Sequence, residues 1–287
     1  MPKRRVVMLL FVDKLTNSDF SYLHPERGLV GETWLAHIEL QGALDEQGMV
    51  CDFGIVKKTV RRLLDDLIDH RLLVPARAAN IAIVEDEEYT RLVWRMTDNR
   101  QIKHYSPNPC ITLLDTDAIT PQSVAAWCEQ LIRLELPQLI KTVQLRFCVE
   151  NIDGAYYHYS HGLKKHEGKC QRIAHGHRSR IEIEKDGQRD LALERQWATQ
   201  FTDIYIGTSD DVDIHSDDVN HTHFRYQAPE GNFELSLPSS ACYLIDSDST
   251  VECIAQHIAD TLKSQSPHHH FRVKAFEGLD KGAVVSR

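Results

Sequence analysis

The sequence predicts an α+β protein made of two tandem units, each with four antiparallel strands and two helices on one face of the sheet. Two observations lead to this prediction. The same order of strand and helix patterns occurs twice along the 287 residues, which indicates an internal duplication. Two short segments of the first half also resemble segments of the second half in sequence. With a boundary near Ile152–Gly154, we expect units at residues 1–152 and 153–287.

The first unit follows from apolar periodicity and helix-capping residues. Its predicted elements are strands at Val6–Val12 and Thr33–Leu40, helices at Phe53–Ile68 and Pro121–Leu134, and a closing strand at Thr142–Glu150. The strands alternate or run apolar, whereas the helices repeat apolar residues at helical spacing. Asp52 and Thr120 are the expected N-caps. The opening apolar run stops at Asp13, so a buried strand is expected there rather than a signal peptide.

The second unit repeats this order with variation. Its predicted elements are strands at Ala155–Ser160 and Ser179–Glu184, helices at Leu191–Phe201 and Val251–Leu262, and a closing strand at Phe271–Glu277. Thr250 is the expected N-cap of the last helix. In sequence, the segment that begins at Ile81 resembles the one that begins at Ile204, and the segment that begins at Cys110 resembles the one that begins at Cys242.

Composition excludes several classes of function. A net charge of −9 and a pI near 6.0 argue against nucleic-acid or anionic-membrane binding, because phosphate backbones select a basic surface. No apolar stretch has the ~18 residues that a membrane span needs. Seven cysteines with irregular spacing are typical of reduced thiols, so we expect a cytoplasmic protein.

Three histidines form a candidate metal site. His175 and His177 are two residues apart and would project from the same face of a strand. His161, at the end of another predicted strand, would complete the set. Three protein ligands leave a coordination position open, as in catalytic zinc sites, although iron and copper also accept imidazole. In a chain with 16 histidines an isolated pair would be weak evidence, so the neighbouring residues decide.

Those neighbours resemble the 6-pyruvoyl-tetrahydropterin synthase and 6-carboxytetrahydropterin synthase family. Cys170 precedes His175-Gly-His177 as the family's cysteine precedes its metal histidines. Other matching segments lie in both halves: Gly48-Met-Val-Cys-Asp-Phe-Gly-Ile-Val-Lys57, Ile68-Asp-His-Arg-Leu72, Ser249-Thr-Val-Glu-Cys-Ile-Ala255 and Val273-Lys-Ala-Phe-Glu277-Gly. The resemblance implies tunnelling-fold (T-fold) units that assemble into a barrel, and hence a homo-oligomer.

The resemblance also implies roles for particular residues. His161, His175 and His177 would bind Zn²⁺, and Cys170 would transfer protons, with Lys169 and Arg172 favouring its thiolate form. Asp69 and His70 would assist from the other unit, within a chain or between chains. Where the first half should have its own histidines, it reads Val30-Gly-Glu-Thr33, and the second half has Phe201-Thr-Asp-Ile in place of an Asp-His pair.

Substrate binding is expected to involve the closing strand and the last helix. Glu277 would anchor the pterin ring, with Glu150 as a degenerate copy, and Thr250 would contact the substrate. Asp69-His70 could instead be only a helix end, and Thr250 only a helix cap.

The reaction implied is triphosphate elimination from 7,8-dihydroneopterin triphosphate by a zinc-dependent pterin synthase, namely 6-carboxytetrahydropterin synthase of the queuosine and deazapurine precursor pathway. The alternatives are 6-pyruvoyl-tetrahydropterin synthase or a non-catalytic, zinc-stabilised pterin-binding protein. The product stays open because four residues separate Cys170 from His175, a spacing that matches neither enzyme. The related nitrile-reducing queuosine enzymes would need an NADPH site, and the sequence contains no glycine-rich phosphate loop.

Overall fold

The computed structural model describes residues 7–214 and 218–287, and the two halves of the chain carry a similar order of elements. The first half contains β1 (Val7–His24), β2 (Gly28–Ala43), α1 (Phe53–Leu67), β3 (Leu72–Pro75), β4 (Ile81–Glu85), β5 (Tyr89–Arg95), β6 (Gln101–Pro107), β7 (Ile111–Leu114), α2 (Pro121–Glu135) and β8 (Ile140–Cys148). The second half contains β9 (Tyr156–His161), β10 (His175–Lys185), β11 (Gln188–Arg189), α3 (Leu191–Gln200), β12 (Ile204–Thr208), β13 (His221–Ala228), β14 (Gly231–Pro238), β15 (Cys242–Ile245), α4 (Val251–Gln265), β16 (Phe271–Phe276) and β17 (Gly282–Ser286).

The helices begin where the sequence predicts. Asp52 accepts hydrogen bonds from the first backbone N–H groups of α1, and Thr120 closes a capping box with Ser123 at the start of α2. Asp190 and Thr250 cap α3 and α4 in the same way. Within the described ranges, no helix is long and apolar enough to cross a membrane.

Each half builds one sheet that is covered on one face by its two helices. The first sheet has the order β7-β3-β1-β2-β8, and the second has the order β15-β12-β9-β10-β16-β17, with β11 also paired to β10. The apolar faces of α1 and α2 pack on β2 and β8 in one core, and those of α3 and α4 pack on β10 and β16 in another. The predicted α+β fold of two repeated units is therefore confirmed.

The sheets differ from the prediction in width and direction. Beside the antiparallel strands, β3 and β7 in the first sheet and β12 and β15 in the second are paired in parallel. These strands are only four or five residues long, and their short apolar runs have no alternation by which the sequence could reveal them.

The opening strand is also longer than predicted. Val6 lies outside the described residues, and β1 continues beyond Asp13 to His24. An irregularity between Val12 and Thr16 resets the register with β2, with Lys14 in a left-handed conformation at φ 48°. The polar stretch that follows is buried by the other half of the chain. Sequence periodicity gives no sign of this burial.

A third sheet joins the two halves. The three-stranded meander β4–β6 and the hairpin β13–β14 are inserted at the same point of each half. They pair through β6 and β14 in the antiparallel order β13-β14-β6-β5-β4. Its buried face and residues of both other sheets form a shared core around Trp94, Phe224 and Leu235. The predicted equivalence of the segments that begin at Ile81 and Ile204 is therefore wrong. The strand β4 belongs to this third sheet, whereas the counterpart of β12 is β3. The segments that begin at Cys110 and Cys242 do fall on equivalent strands, β7 and β15.

The two main sheets touch where the β1–β2 and β9–β10 hairpins cross. Gly31 lies opposite Ser21 in one hairpin, and Gly176 lies opposite Ser160 in the other. A Cβ atom on Gly176 would lie 2.6 Å from Gly31 Cα, and the two serine Oγ atoms are 2.7 Å apart. Equivalent residues thus meet at a pseudo-twofold axis, and the absence of side chains on both glycines permits the approach.

We expect Gly31→Ala to weaken the contact between the halves. The new Cβ atom would lie 1.8 Å from Tyr159 O, a backbone atom that cannot move aside without shifting β9. The loss of unfolding free energy should reach the upper end of the ~1–3 kcal/mol seen for overpacked cores, measured by urea denaturation. Gly187→Asn is the control, because that turn has φ 79° and nothing within 4 Å of a Cβ. Equal stability of both variants would contradict the close packing described.

Candidate active site

Three buried histidines of the second half face one another across the β9–β10 pair. The register places His161 directly opposite His175, with His177 on the same face of β10. All three rings are fully buried, and one ligand atom from each lies within 4.8 Å of the others. The three Nε2 atoms have no hydrogen-bond partner. Because buried polar atoms are normally paired, three such nitrogens converging on one point indicate a metal site.

The opposite ring nitrogens of these histidines are held by the protein. His161 Nδ1 lies 2.7 Å from Ser249 O, and His175 Nδ1 lies 2.9 Å from Arg172 O. His177 Nδ1 lies 3.3 Å from the carboxylate Oδ1 of Asp19. The carbonyl acceptors fix the tautomers of His161 and His175 that leave Nε2 free to bind a cation. The Asp19 carboxylate favours the same tautomer of His177 by charge, at an ion-pair distance without hydrogen-bond geometry.

Burial keeps two of the rings neutral. Burial lowers the pKa of His161 to about 3 and brings the pKa of His175 well below its ordinary value. Neutral imidazole is the form that binds a metal ion. An all-nitrogen set of this kind suits zinc, iron or copper.

Asp69 and His70 reach this cluster from the first half, within the same chain. They follow α1, and His70 has φ 55°, a left-handed conformation that turns the chain into β3. Asp69 Oδ2 lies 2.6 Å from His70 Nδ1. The His70 and His175 ring centroids are 5.0 Å apart. The pair is therefore more than a helix end, because its imidazole lies against a candidate metal ligand.

Cys170 completes the group. It lies in a short 3₁₀ turn, Lys169–Gln171, ahead of β10, and its thiol is within 4.8 Å of ligand atoms of His70 and His175. Burial by itself would lower the pKa of His70, but the hydrogen bonds and charges of Asp69 and Cys170 raise it to about 10. His70 is therefore a cation at neutral pH beside the thiol.

The two basic neighbours of Cys170 in sequence are engaged elsewhere. Arg172 makes a bidentate ion pair with Glu230, at 2.8 and 3.0 Å, and Lys169 Nζ bonds to Asp65 O. The expectation that they favour a thiolate is thus not supported by their contacts, and His70 is the cation that faces Cys170. Charges adjacent in sequence need not be adjacent in space once a turn directs them apart.

Glu277 follows β16 and points toward the cluster. Its Oε1 lies 3.8 Å from His177 Nε2, and its Oε2 lies 3.4 Å from Lys281 Nζ. Burial would raise its pKa, but the facing imidazoles of His177 and His161 and the Lys281 ammonium lower it. Thr250 caps α4 through its hydroxyl, which accepts a hydrogen bond from Cys253 N.

Glu150, unlike Glu277, contacts none of the three histidines in the described residues. Its side chain is 3.3 Å from Arg180, and its carbonyl accepts a hydrogen bond from Arg178.

Sequence reasoning missed Asp19. This carboxylate lies on the polar part of β1, is 2% exposed and faces His177. Although burial alone would raise its pKa, His177, Lys281 and the Thr33 hydroxyl lower it to about 2. Ser18, Asp19 and Ser21 lie in a polar stretch between the two predicted strands, and their residue types give no sign of burial. Ser249, whose hydroxyl is buried without a partner beside His161, was likewise not singled out.

The first half holds a counterpart of the site without its ligands. The registers of β1–β2 and β9–β10 make Tyr22, Val30 and Glu32 equivalent to His161, His175 and His177. Asp203 has the position and the φ of 55° that His70 has in the other half. This agrees with the sequence comparison of Val30-Gly-Glu-Thr33 and Phe201-Thr-Asp-Ile with the functional segments. In the described residues, the two groups that could hold a metal ion share His175, so they form one candidate centre per chain.

Comparison with known proteins gives one family. A model of the 6-pyruvoyl tetrahydropterin synthase family matches residues 15–145 and again residues 153–287. A Pyrococcus horikoshii protein named "Putative 6-carboxy-5,6,7,8-tetrahydropterin synthase" is 24% identical over 148 residues, which cover 50% of this chain and 83% of that protein.

Two solved structures are also similar to half of the chain. A catalytic-residue mutant of Plasmodium vivax 6-pyruvoyltetrahydropterin synthase is 16% identical, with a TM-score of 0.42, and covers 50% of this chain and 91% of its own. The Plasmodium falciparum 6-pyruvoyl tetrahydropterin synthase is 14% identical, with a TM-score of 0.41, and covers 49% and 90%. Because the family model matches both halves, the chain belongs to the 6-pyruvoyl tetrahydropterin synthase family, as a tandem form.

Proposed function

We propose that this protein is a zinc-dependent lyase that acts on 7,8-dihydroneopterin triphosphate, eliminates triphosphate and forms 6-carboxytetrahydropterin. The observation that carries the proposal is the convergence of three unpartnered histidine nitrogens from one unit with Asp69, His70 and Cys170. A binding protein would need the ligands but no acid and base beside them. In this proposal the units are residues 1–152 and 153–287.

The metal and the chain would divide the chemistry. When bound by His161, His175 and His177, zinc supplies Lewis acidity to the side-chain hydroxyls of the substrate. Cys170 removes a proton from the substrate side chain, and His70, held by Asp69, donates or returns one at the neighbouring carbon or oxygen. The protonated state of His70 matches a role as acid, since its pKa is raised to about 10.

Pterin recognition is assigned to Glu277. A buried carboxylate can accept two parallel hydrogen bonds from the N–H groups of a pterin ring, and this geometry selects the ring because an unmatched buried carboxylate is costly. Glu277 Oε1 lies 3.8 Å from His177 Nε2, whereas Glu150 contacts Arg180, which supports this assignment over Glu150. Thr250 would contact the substrate from the start of α4.

The choice of product rests on the name of the Pyrococcus relative. The 6-pyruvoyl reaction is the alternative. Both would give a cytoplasmic enzyme of the queuosine and deazapurine precursor or related pterin pathways. We also propose a homo-oligomer, because the sheets end in uncovered strands β8 and β17 whose edges a second copy can pair.

The reaction is tested by adding dihydroneopterin triphosphate to the purified protein with its metal content measured. We expect about one zinc per chain and release of triphosphate together with acetaldehyde, which marks formation of the carboxy product. Removing the metal with a chelator should abolish turnover, and adding zinc should restore it. Triphosphate release without acetaldehyde would favour the pyruvoyl product, and absence of both zinc and turnover would refute the proposal.

Cys170→Ala and His70→Asn test whether the site is catalytic. Each should reduce kcat by about 10²–10⁴-fold, the usual contribution of a positioned acid or base. Zinc content should stay unchanged with the metal at His161, His175 and His177, whereas loss of zinc would place the metal at the overlapping group of His70, Cys170 and His175. Cys253→Ala, which removes another half-buried thiol, should have little effect. Full turnover by Cys170→Ala would instead support a non-catalytic pterin-binding protein.

Glu277→Gln tests the pterin anchor. Loss of two charge-assisted hydrogen bonds should cost about 1.5–3 kcal/mol, or roughly 10- to 100-fold in kcat/KM, measured by steady-state kinetics. Glu150→Gln is the matched control, because Glu150 faces Arg180 rather than the histidines. If only the Glu150 variant lost activity, the assignment of the two glutamates would be reversed.

A further inference from the structure

Asp19 belongs to the first half of the chain but lies among the candidate metal ligands of the second. It is on β1, is 2% exposed, and is brought to β10 by the crossing of the two hairpins at Gly31 and Gly176. A Cβ atom on Gly278 would lie 2.5 Å from Asp19 Oδ1. The carboxylate is therefore enclosed by β1, β10 and the turn after β16.

The carboxylate is held in a fixed orientation. Its Oδ1 accepts a hydrogen bond from Thr33 Oγ1 at 2.6 Å and lies 3.3 Å from His177 Nδ1. Its Oδ2 faces Asn17 Nδ2 at 3.4 Å and Lys281 Nζ at 3.7 Å. A carboxylate behind an imidazole fixes the tautomer that offers Nε2 to a metal and makes the ring a stronger ligand.

This partner is unlike those of the other two histidines. His161 and His175 face neutral carbonyl groups of their own half, Ser249 O and Arg172 O. Of the three Nδ1 atoms, only that of His177 faces a charged group, and that group comes from the other half. At the pseudo-symmetric position the pair is reversed: His158 of the second half faces Glu32 of the first at 3.8 Å.

The backbone of Asp19 also fixes the Asp-His pair. Asp19 N donates a hydrogen bond to Asp69 Oδ1 at 2.9 Å, and Asp19 O accepts one from His70 N at 2.6 Å. One residue thus contacts both a candidate metal ligand and the candidate acid. Because only the side chain faces His177, a side-chain substitution separates the two contacts.

We infer that Asp19 is a positioning residue of the metal site, so that the zinc affinity of the second unit depends on a carboxylate supplied by the first. This rests on the proposed zinc site, although not on the identity of the pterin product. Its consequence is that the first unit contributes to metal binding although it has lost its own ligands.

The test compares zinc affinity, by competition with a chromophoric chelator, among the full-length protein and its variants. We expect Asp19→Asn to weaken zinc binding by about tenfold and Asp19→Ala by up to about 100-fold, the range found for lost partners of metal-bound histidines. Asp13→Asn is the matched control, because Asp13 is an exposed carboxylate on β1 that also contacts a histidine, His37, at 2.9 Å. This variant should bind zinc like the wild type.

A purely structural role is excluded by two further readouts. The metal-free variants are compared by thermal unfolding, and Co²⁺-loaded proteins by their visible absorption, which should change in Asp19→Asn because the ligand field of His177 changes. Thr33→Val removes the hydrogen bond that orients the carboxylate, together with the one that Thr33 Oγ1 accepts from Arg178 N, but keeps the charge of Asp19. It should give an intermediate loss of affinity if the Asp19 variants do not fold.

The outcomes distinguish this inference from the proposed function. Unchanged zinc affinity in Asp19→Asn and Thr33→Val would overturn the inference even if the wild type forms the expected product. Loss of affinity in a protein that does not turn over the pterin would support the inference and refute the proposed reaction. A wild-type protein that binds no zinc would refute both.

Discussion

The backbone contact between Gly31 and Gly176 is the constraint on which the rest of the structure depends. Two β-hairpins can approach so closely only where neither carries a side chain at the crossing. The approach brings the polar end of β1 against β10 and directs the turn before β3 toward the histidine cluster. Without it, the His-x-His pair and the Asp-His pair would lie in separate units with no common site.

The crossing also explains why the two halves can differ in chemistry while sharing a fold. A pseudo-twofold axis generates two equivalent polar positions, one with His177 and Asp19, the other with Glu32 and His158. Burial raises the pKa of Glu32 to about 7, although Thr33 N–H and Arg178 oppose the shift. The second position thus has a carboxyl with a raised pKa, and a tyrosine and a valine in place of ligands. A single duplicated frame holds one metal site and one polar contact between units.

The inserted hairpins stabilise the same region from outside. Glu230, in the turn between β13 and β14, pairs with Arg172, and its N–H donates to Gln171 Oε1 at 2.6 Å. Tyr226 OH donates to Gln171 O at 2.7 Å. These contacts hold the turn that carries Cys170, and Arg172 extends to His70 O. In the other half the equivalent arginine, Arg27, pairs with Asp203 directly. The added hairpin therefore fixes the position of the thiol relative to the imidazole.

The sequence by itself determined the duplication, the helices with their caps, and the segments around Cys170, His175 and His70, because these depend on local periodicity and on short runs of characteristic residues. The tertiary structure alone decided which groups meet. Asp19 could not be recognised because a carboxylate in a polar stretch looks solvent-exposed until another unit buries it. Lys169 and Arg172 were assigned to Cys170 by proximity in sequence, yet their charges are used by Asp65 O and Glu230. The site residues converge within one chain, rather than between chains, because Gly31 contacts Gly176. Neither half of the sequence by itself indicates that contact.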